Sequence, residues 1–200
     1  MSKGFYIRPD KYSMVAILMV KKRIIGIVGM PGSGKGIVNT VGKAIGLPVV
    51  VMGDVVREET AKRGLESTPK NMRKIMLEIR HVEGPAVVAK RCIPKIQESS
   101  TDVVVVEGVR SLDEVEEFKK SFNFTLVSVL ASPKTRFRRL YKRRRTDDPA
   151  SWRVFLERDQ VELEVGVGSA IAMADYAIIN EGGLAQFKKK IRDLLKRLLE

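Results

Sequence analysis

The chain has 200 residues, 44% of them apolar and 30% charged, which suits one soluble globular domain with a real core. A net charge of +13 implies an anionic partner. The single cysteine, Cys92, excludes an intrachain disulfide and a thiolate cluster and fits a reducing, cytoplasmic setting, and the single histidine, His81, has no companion at metal-ligand spacing.

In chain order, residues 1–20 pair KGFYIRPDK with the apolar run YSMVAILMV. Nine apolar residues are far short of a membrane span, and no small-residue cleavage site follows, so neither membrane nor export is expected. Residues 1–20 read as a loosely packed extension, and 21–200 as the domain. RIIGIV (23–28), LPVVVM (47–52), DVVVVE (102–107), FTLVSVL (124–130) and DYAIIN (175–180) read as strands. They are Val/Ile-rich without alternation, as in a parallel sheet covered on both faces. Helical patterns run over 35–45, 55–63, 69–81, 85–97, 112–120, 133–145, 151–165 and 184–199. In the last, Phe187, Ile191, Leu194, Leu195 and Leu198 share one face. Strands alternating with helices predict a three-layer α/β fold on a five-stranded parallel sheet. The stretch 54–100 is too long for one crossover and reads as a helical insertion. Cys92 falls in a helical pattern as a small core residue, His81 at a helix end, and Trp152 and Tyr141 as packing residues.

GMPGSGKGIV (29–38) follows the first strand and opens a helix, the context that a phosphate-binding P-loop requires. Gly29, Gly32 and Gly34 let the backbone curl around Met30, Pro31 and Ser33 so that N–H groups point inward. The following helix adds its positive N-terminal end, and Lys35 can reach the β and γ phosphates. Gly36 and Ile37 stand where a hydroxyl residue is usual. Glu107 closes a run of valines, where a carboxylate needs a partner. Asp54 is either a helix cap or a polar group facing a site, and Arg57 is either a ligand grip or a solvated charge. From Lys134 to Arg145, eight of twelve residues are basic.

The form G-x-P-G-S-G-K-G resembles the loop of adenylate kinase and its nucleoside monophosphate kinase relatives. Gly53-Asp54-Val55-Val56-Arg57 resembles their G-D-x-x-R, whose arginine grips the acceptor's phosphate. Met52 replaces the hydroxyl residue that precedes that motif. Glu107 resembles a Walker-B acid and Arg110 the second phosphate-gripping arginine, one residue closer to the acid than in adenylate kinase. Glu114 occupies the position that reads the adenine base there. RRRTDD (143–148) resembles the R-x-D-D of the kinase lid. Arg145 would then be a lid arginine, Asp147 and Asp148 its orienting acids, and Arg153 or Arg158 the next lid arginine. Arg136 and Arg139 resemble the basic helix before the lid, which holds the donor's base and phosphates. ADYAIINEGG (174–183) resembles the last strand and base-side loop of dephospho-CoA kinase. Taken together, the chain resembles an archaeal family of adenylate-kinase-related P-loop proteins.

That resemblance implies a P-loop kinase fold with a helical acceptor-binding insertion and a short basic lid over 136–158. It implies ATP and Mg²⁺ as cofactors, the loop residues Gly29 to Ile37 with Arg136 and Arg139 as the donor site, and Lys35, Arg145 and Arg158 as catalytic residues. Asp54, Arg57 and Arg110 would bind the acceptor, and Asp54 and Glu107 would meet the metal through water. The expected partner is a small-molecule phosphate acceptor, with a nucleoside monophosphate such as AMP foremost. Dephospho-CoA or another phosphorylated metabolite is the alternative. An ATPase switch that binds RNA or a protein is a third reading. Nucleic acid is the less favoured partner, because Phe137 and Tyr141 are the only aromatics within the basic run.

Overall fold

A computed structural model describes residues 21–145 and 148–200. The expectation for residues 1–20, and the role given to Asp147, lie outside the described residues. Five strands form one sheet: β1 (Arg23–Val28), β2 (Val49–Val51), β3 (Val103–Val109), β4 (Asn123–Leu130) and β5 (Tyr176–Ile179). The order is β2-β3-β1-β4-β5 and every pairing is parallel. β1 is central, with Arg23 level with Val103 on one side and Asn123 on the other.

Successive strand side chains point to opposite faces. Ile24, Val28, Val104 and Val106 enter one core, and Ile25, Ile27, Val103 and Val105 enter the other. The helices are α1 (Lys35–Ala44), α2 (Met52–Lys62), α3 (Pro69–Glu83), α4 (Val87–Gln97), α5 (Leu112–Ser121), α6 (Pro133–Arg143), α7 (Trp152–Val165), α8 (Val167–Ala172) and α9 (Leu184–Leu199). Residues from α2, α3, α4, α5 and α8 build the first core, and α1 and α9 cover the second. Cys92 is fully buried in the first core, where burial pushes its thiol up to about 12, so it packs as an apolar residue.

Three helices, α2, α3 and α4, lie between β2 and β3. Thr68, Ser111, Ser132 and Ser151 cap α3, α5, α6 and α7 by accepting a backbone N–H in the first turn. α2 starts at Met52, directly on the end of β2, so Asp54 lies within its first turn and does not cap it. β1 ends between β3 and β4 and feeds α1, and such a point above the carboxyl ends of parallel strands is where α/β sheets bind ligands.

Candidate active site

The loop between β1 and α1 is shaped by positions that tolerate no side chain. Gly32 has φ +80° and Gly34 φ +105°. A Cβ on Gly34 would stand 2.3 Å from the amide nitrogen of Asn180, and one on Gly32 would stand 2.8 Å from the Arg136 carbonyl. Gly34 is the N-cap of α1, with no side-chain cap and no acid in the first turn. The positive helix end is therefore left to an anion from outside. At Gly36 a Cβ would meet nothing within 4 Å, so the space beside this turn is open. These features fit a phosphate cradle.

Lys35 folds back over the loop, its Nζ donating to the carbonyls of Gly29 at 2.6 Å and Met30 at 3.4 Å. Burial lowers its pKa below that of an ordinary lysine, Glu107 and Glu162 oppose that shift, and Arg110 and Arg158 add to it. Glu107 reaches this position at a bulge. Ile27 pairs with Glu107 but Val28 with Val109, and Gly108 between them has φ +102°.

Three expected donor-site residues face inward instead. Arg136 is 4% exposed, and its guanidinium makes a two-pronged pair with Asp159 of α7 at 2.8 and 2.6 Å. It also donates to the carbonyls of Ala131 and Pro31 and lies 4.9 Å from the Phe155 ring centre. Arg136 thus braces the loop against α7, with its guanidinium engaged by Asp159. The half-buried Ile37 packs against the second core and gives its N–H to the Gly34 carbonyl. Ser33 is 1% exposed, with its N–H on the Met30 carbonyl and its Oγ buried without a partner. The Ser33 carbonyl accepts from the Asn180 amide at 2.7 Å, and Arg139 spans from that carbonyl to Asn180. Arg139 and Asn180 therefore tie the end of β5 to the loop.

Beside the loop lies a cleft of about 840 Å³ between α2–α3 and α7. Among the described residues, Arg57, Lys70, Arg73, Lys74, Arg80, Arg110, Arg145 and Arg158 line it against two acids, Glu157 and Glu162. Apolar surface comes from Met52, Val56, Met72, Met76, Leu77 and Val161. The cleft unites Arg110, Arg145 and Arg158, drawn from the end of β3, the segment after α6, and α7. The Arg110 guanidinium stands 3.6 Å from Glu162. Arg153 is not among the lining residues and is 87% exposed beside Glu157. Although burial works against it, hydrogen bonds from Arg143 and from the Arg145 N–H hold the Asp148 carboxyl below its usual range.

Asp54 and Arg57 pair with each other across one turn of α2, each about half exposed. Asp54 is thus committed to an arginine, and Glu107 is the acid that acts most strongly on Lys35. Glu114 does not face the cleft as a base reader. It is fully buried, bonded to Arg80 at 2.6 Å and to the Arg110 N–H at 2.7 Å.

Sequence reasoning missed Arg80, Asp159, Glu162 and Asn180. Phe155, Arg158, Asp159 and Glu162 share helical spacing, and acids on the aromatic-bearing face of α7 were the available signal. Among the described residues, no helix is long and apolar enough to cross a membrane, and no group of three or more His, Cys, Asp or Glu residues could hold a metal ion.

A family model described as an AAA domain matches residues 28–155. A UPF0200 protein of Hyperthermus butylicus is 46% identical over 175 residues, covering 88% of this chain and 94% of its own. A UPF0200 protein of Thermococcus sibiricus is 49% identical over 181 residues, covering 88% and 95%. Among solved structures, a Thermus thermophilus protein superposes with a TM-score of 0.60 at 20% identity, covering 89% of this chain and 98% of its own. The Acinetobacter baumannii shikimate kinase in complex with shikimate gives 0.55 at 15% identity, covering 92% and 96%. At these identities the structures carry the fold, a P-loop kinase fold.

Proposed function

The chain belongs to the UPF0200 family, and on its P-loop kinase fold we propose that it is an ATP-dependent phosphotransferase that moves the γ-phosphate of ATP to a nucleoside monophosphate such as AMP. One observation carries the reading. Of the four charged groups that act most strongly on Lys35, three also line the basic cleft: Arg110, Arg158 and Glu162. Phosphate cradle and cleft therefore share one electrostatic field, as a transfer between two bound anions requires.

Phosphoryl transfer depends on positioning and charge neutralisation more than on covalent chemistry by the protein. The first-turn N–H groups of α1 and Lys35 bind the donor's phosphates. Arg145 and Arg158 face the oxygens that gain charge, and such contacts contribute on the order of 3 kcal/mol each to lowering the barrier. Mg²⁺, when bound, would supply positive charge against the charge on the donor's phosphates. Mg²⁺ usually keeps several waters and rests on substrate phosphates with one or two carboxylates, which suits Glu107 as its protein partner through water. An acceptor that is already a phosphate anion needs no histidine or serine base.

The eight cations of the cleft favour an acceptor that carries phosphate over a neutral polyol. Its methionine-rich wall suits a flat apolar group such as a nucleobase. Dephospho-CoA shares both features and is the second reading. The test is a panel of AMP, CMP, UMP, GMP, dephospho-CoA and no acceptor, each with ATP and Mg²⁺, with every product resolved. A nucleoside diphosphate product is expected. Phosphorylation of dephospho-CoA alone would shift the acceptor class. Release of inorganic phosphate at one rate in every arm would replace the transferase reading with an ATPase.

A further inference from the structure

At the floor of the cleft, two arginines meet over one buried carboxylate. Glu114 sits in the first turn of α5 with no exposed side-chain surface. One of its oxygens accepts from Arg80 Nη2 at 2.6 Å, and the other from the Arg110 backbone N–H at 2.7 Å. Its own N–H is held by the Ser111 cap at 3.3 Å. Arg80 belongs to α3 of the insertion, and Arg110 directly follows β3. A single carboxylate therefore fixes two chain segments, 30 residues apart in sequence, on the same side of the cleft.

Arg80 differs from the other cations there. Its side chain is 11% exposed, whereas that of Arg57 is 56% exposed and already paired with Asp54. Its Nε is buried without a hydrogen-bond partner, and its Nη1 has only the Met76 carbonyl at 3.5 Å. A guanidinium carries five N–H donors, and Glu114 takes one of them. Arg80 lines the cleft with part of its guanidinium donor set unspent, and an anion with several oxygens can take those donors. The Arg110 guanidinium, 3.6 Å from Glu162, is beyond good hydrogen-bond length and likewise keeps donors for a ligand.

We propose that Arg80 and Arg110 form the clamp for the acceptor's phosphate, with Glu114 as the positioning residue that presets the clamp and Arg57 outside it. This rests on reading the cleft as the acceptor site. A phosphate monoester presents three terminal oxygens, enough for two planar forks at once, and lysine cannot reproduce that geometry. The arrangement also explains why an acid stands four residues after Arg110. Its carboxylate is spent on aligning the clamp and has nothing left for reading a base.

The test is calorimetric titration of the wild type, Arg80→Lys, Arg110→Lys, Arg57→Lys, Glu114→Gln and the Arg80→Lys/Glu114→Gln double variant. Each is titrated separately with AMP, inorganic phosphate and ATP. Arg80→Lys and Arg110→Lys should each weaken AMP and phosphate at least tenfold and change ATP at the P-loop less than threefold. Glu114→Gln should weaken AMP comparably, and the double variant should lose less than the product of the two single losses, because Glu114 acts through the clamp arginines. If Glu114→Gln does not fold, Arg80→Lys decides alone, since it keeps the charge and loses only the fork. Wild-type AMP affinity in Arg80→Lys, or a tenfold loss in Arg57→Lys instead, overturns the clamp and leaves the acceptor reading standing. A wild type that binds inorganic phosphate through Arg80 but not AMP keeps the clamp and removes the nucleotide acceptor. A wild type that binds neither at the cleft overturns both.

Discussion

Replacing Asp159 with leucine should remove the carboxylate that meets Arg136 and leave a buried cation behind. The pair is almost closed to solvent, with side chains 5% and 11% exposed, and two hydrogen bonds of 2.8 and 2.6 Å join it. Removing one partner of such a pair costs about 3–5 kcal/mol, because the other charge stays buried. Arg136 would keep the Ala131 and Pro31 carbonyls and the Phe155 ring, which points to the lower end, about 3 kcal/mol. In a domain of this size that lowers Tm by about 6–12 °C. Arg136→Met should cost a similar amount by stranding Asp159. The double variant should cost at least ~2 kcal/mol less than the two singles together, since it leaves no unpaired charge. Urea unfolding followed by fluorescence of Trp152, the chain's only tryptophan, is a direct assay, because its ring stacks on Phe155 with centroids 5.1 Å apart. Single variants within ~0.5 kcal/mol of the wild type, or strictly additive losses, would refute Arg136 as a structural brace.

Lys35 should lose its charge below the ordinary lysine range, so ATP affinity should fall as pH rises through a midpoint under 10.5, and Lys35→Arg should move that fall to higher pH in the same titration. For stability the sign is opposite: between the lowered pKa and the ordinary one the unfolded chain binds more protons, so this group makes folding more favourable as pH rises. Ile37→Thr should cost roughly 1 kcal/mol in urea unfolding, by removing apolar contact with the second core and placing a hydroxyl there, with ATP affinity measured by titration unchanged. Discrimination among AMP, CMP, UMP and GMP should stay within about tenfold in kcat/KM, because Ser67 is the only neutral hydrogen-bonding side chain on the described cleft wall; a hundredfold preference for one base would show a reader elsewhere.

The fold was legible because its signals are local. β1 and α9 match their expected bounds, since a Val/Ile run closed by glycine and an amphipathic stripe of 16 residues each need no tertiary information. α2 begins three residues before the expected Val55, because its first turn starts on the end of β2, which a propensity reading cannot see. α8 escaped notice because six residues carry too few periodic positions, and Gly166 separates them from α7. The phosphate loop was readable from its glycines, whose conformations at Gly32 and Gly34 exclude other residues. The partners of the charges were not readable. Arg136, Arg139 and Arg145 lie in one basic run, yet one is buried on Asp159, one spans to Asn180 and one lines the cleft. Which acid meets which base depends on how α7, α3 and the end of β5 approach the loop. Those approaches are set by packing between segments 23 to 147 residues apart in sequence.

The central claim is that the terminal phosphate of ATP leaves Lys35's loop for an acceptor in the adjoining cleft. The most direct measurement follows ATP labelled on its γ-phosphate, with Mg²⁺ and AMP, in the wild type and in Lys35→Met. The wild type should move the label onto AMP as the β-phosphate of ADP, and Lys35→Met, folded by its melting curve, should not. Label that appears only as inorganic phosphate, or transfer undiminished in Lys35→Met, would contradict the claim.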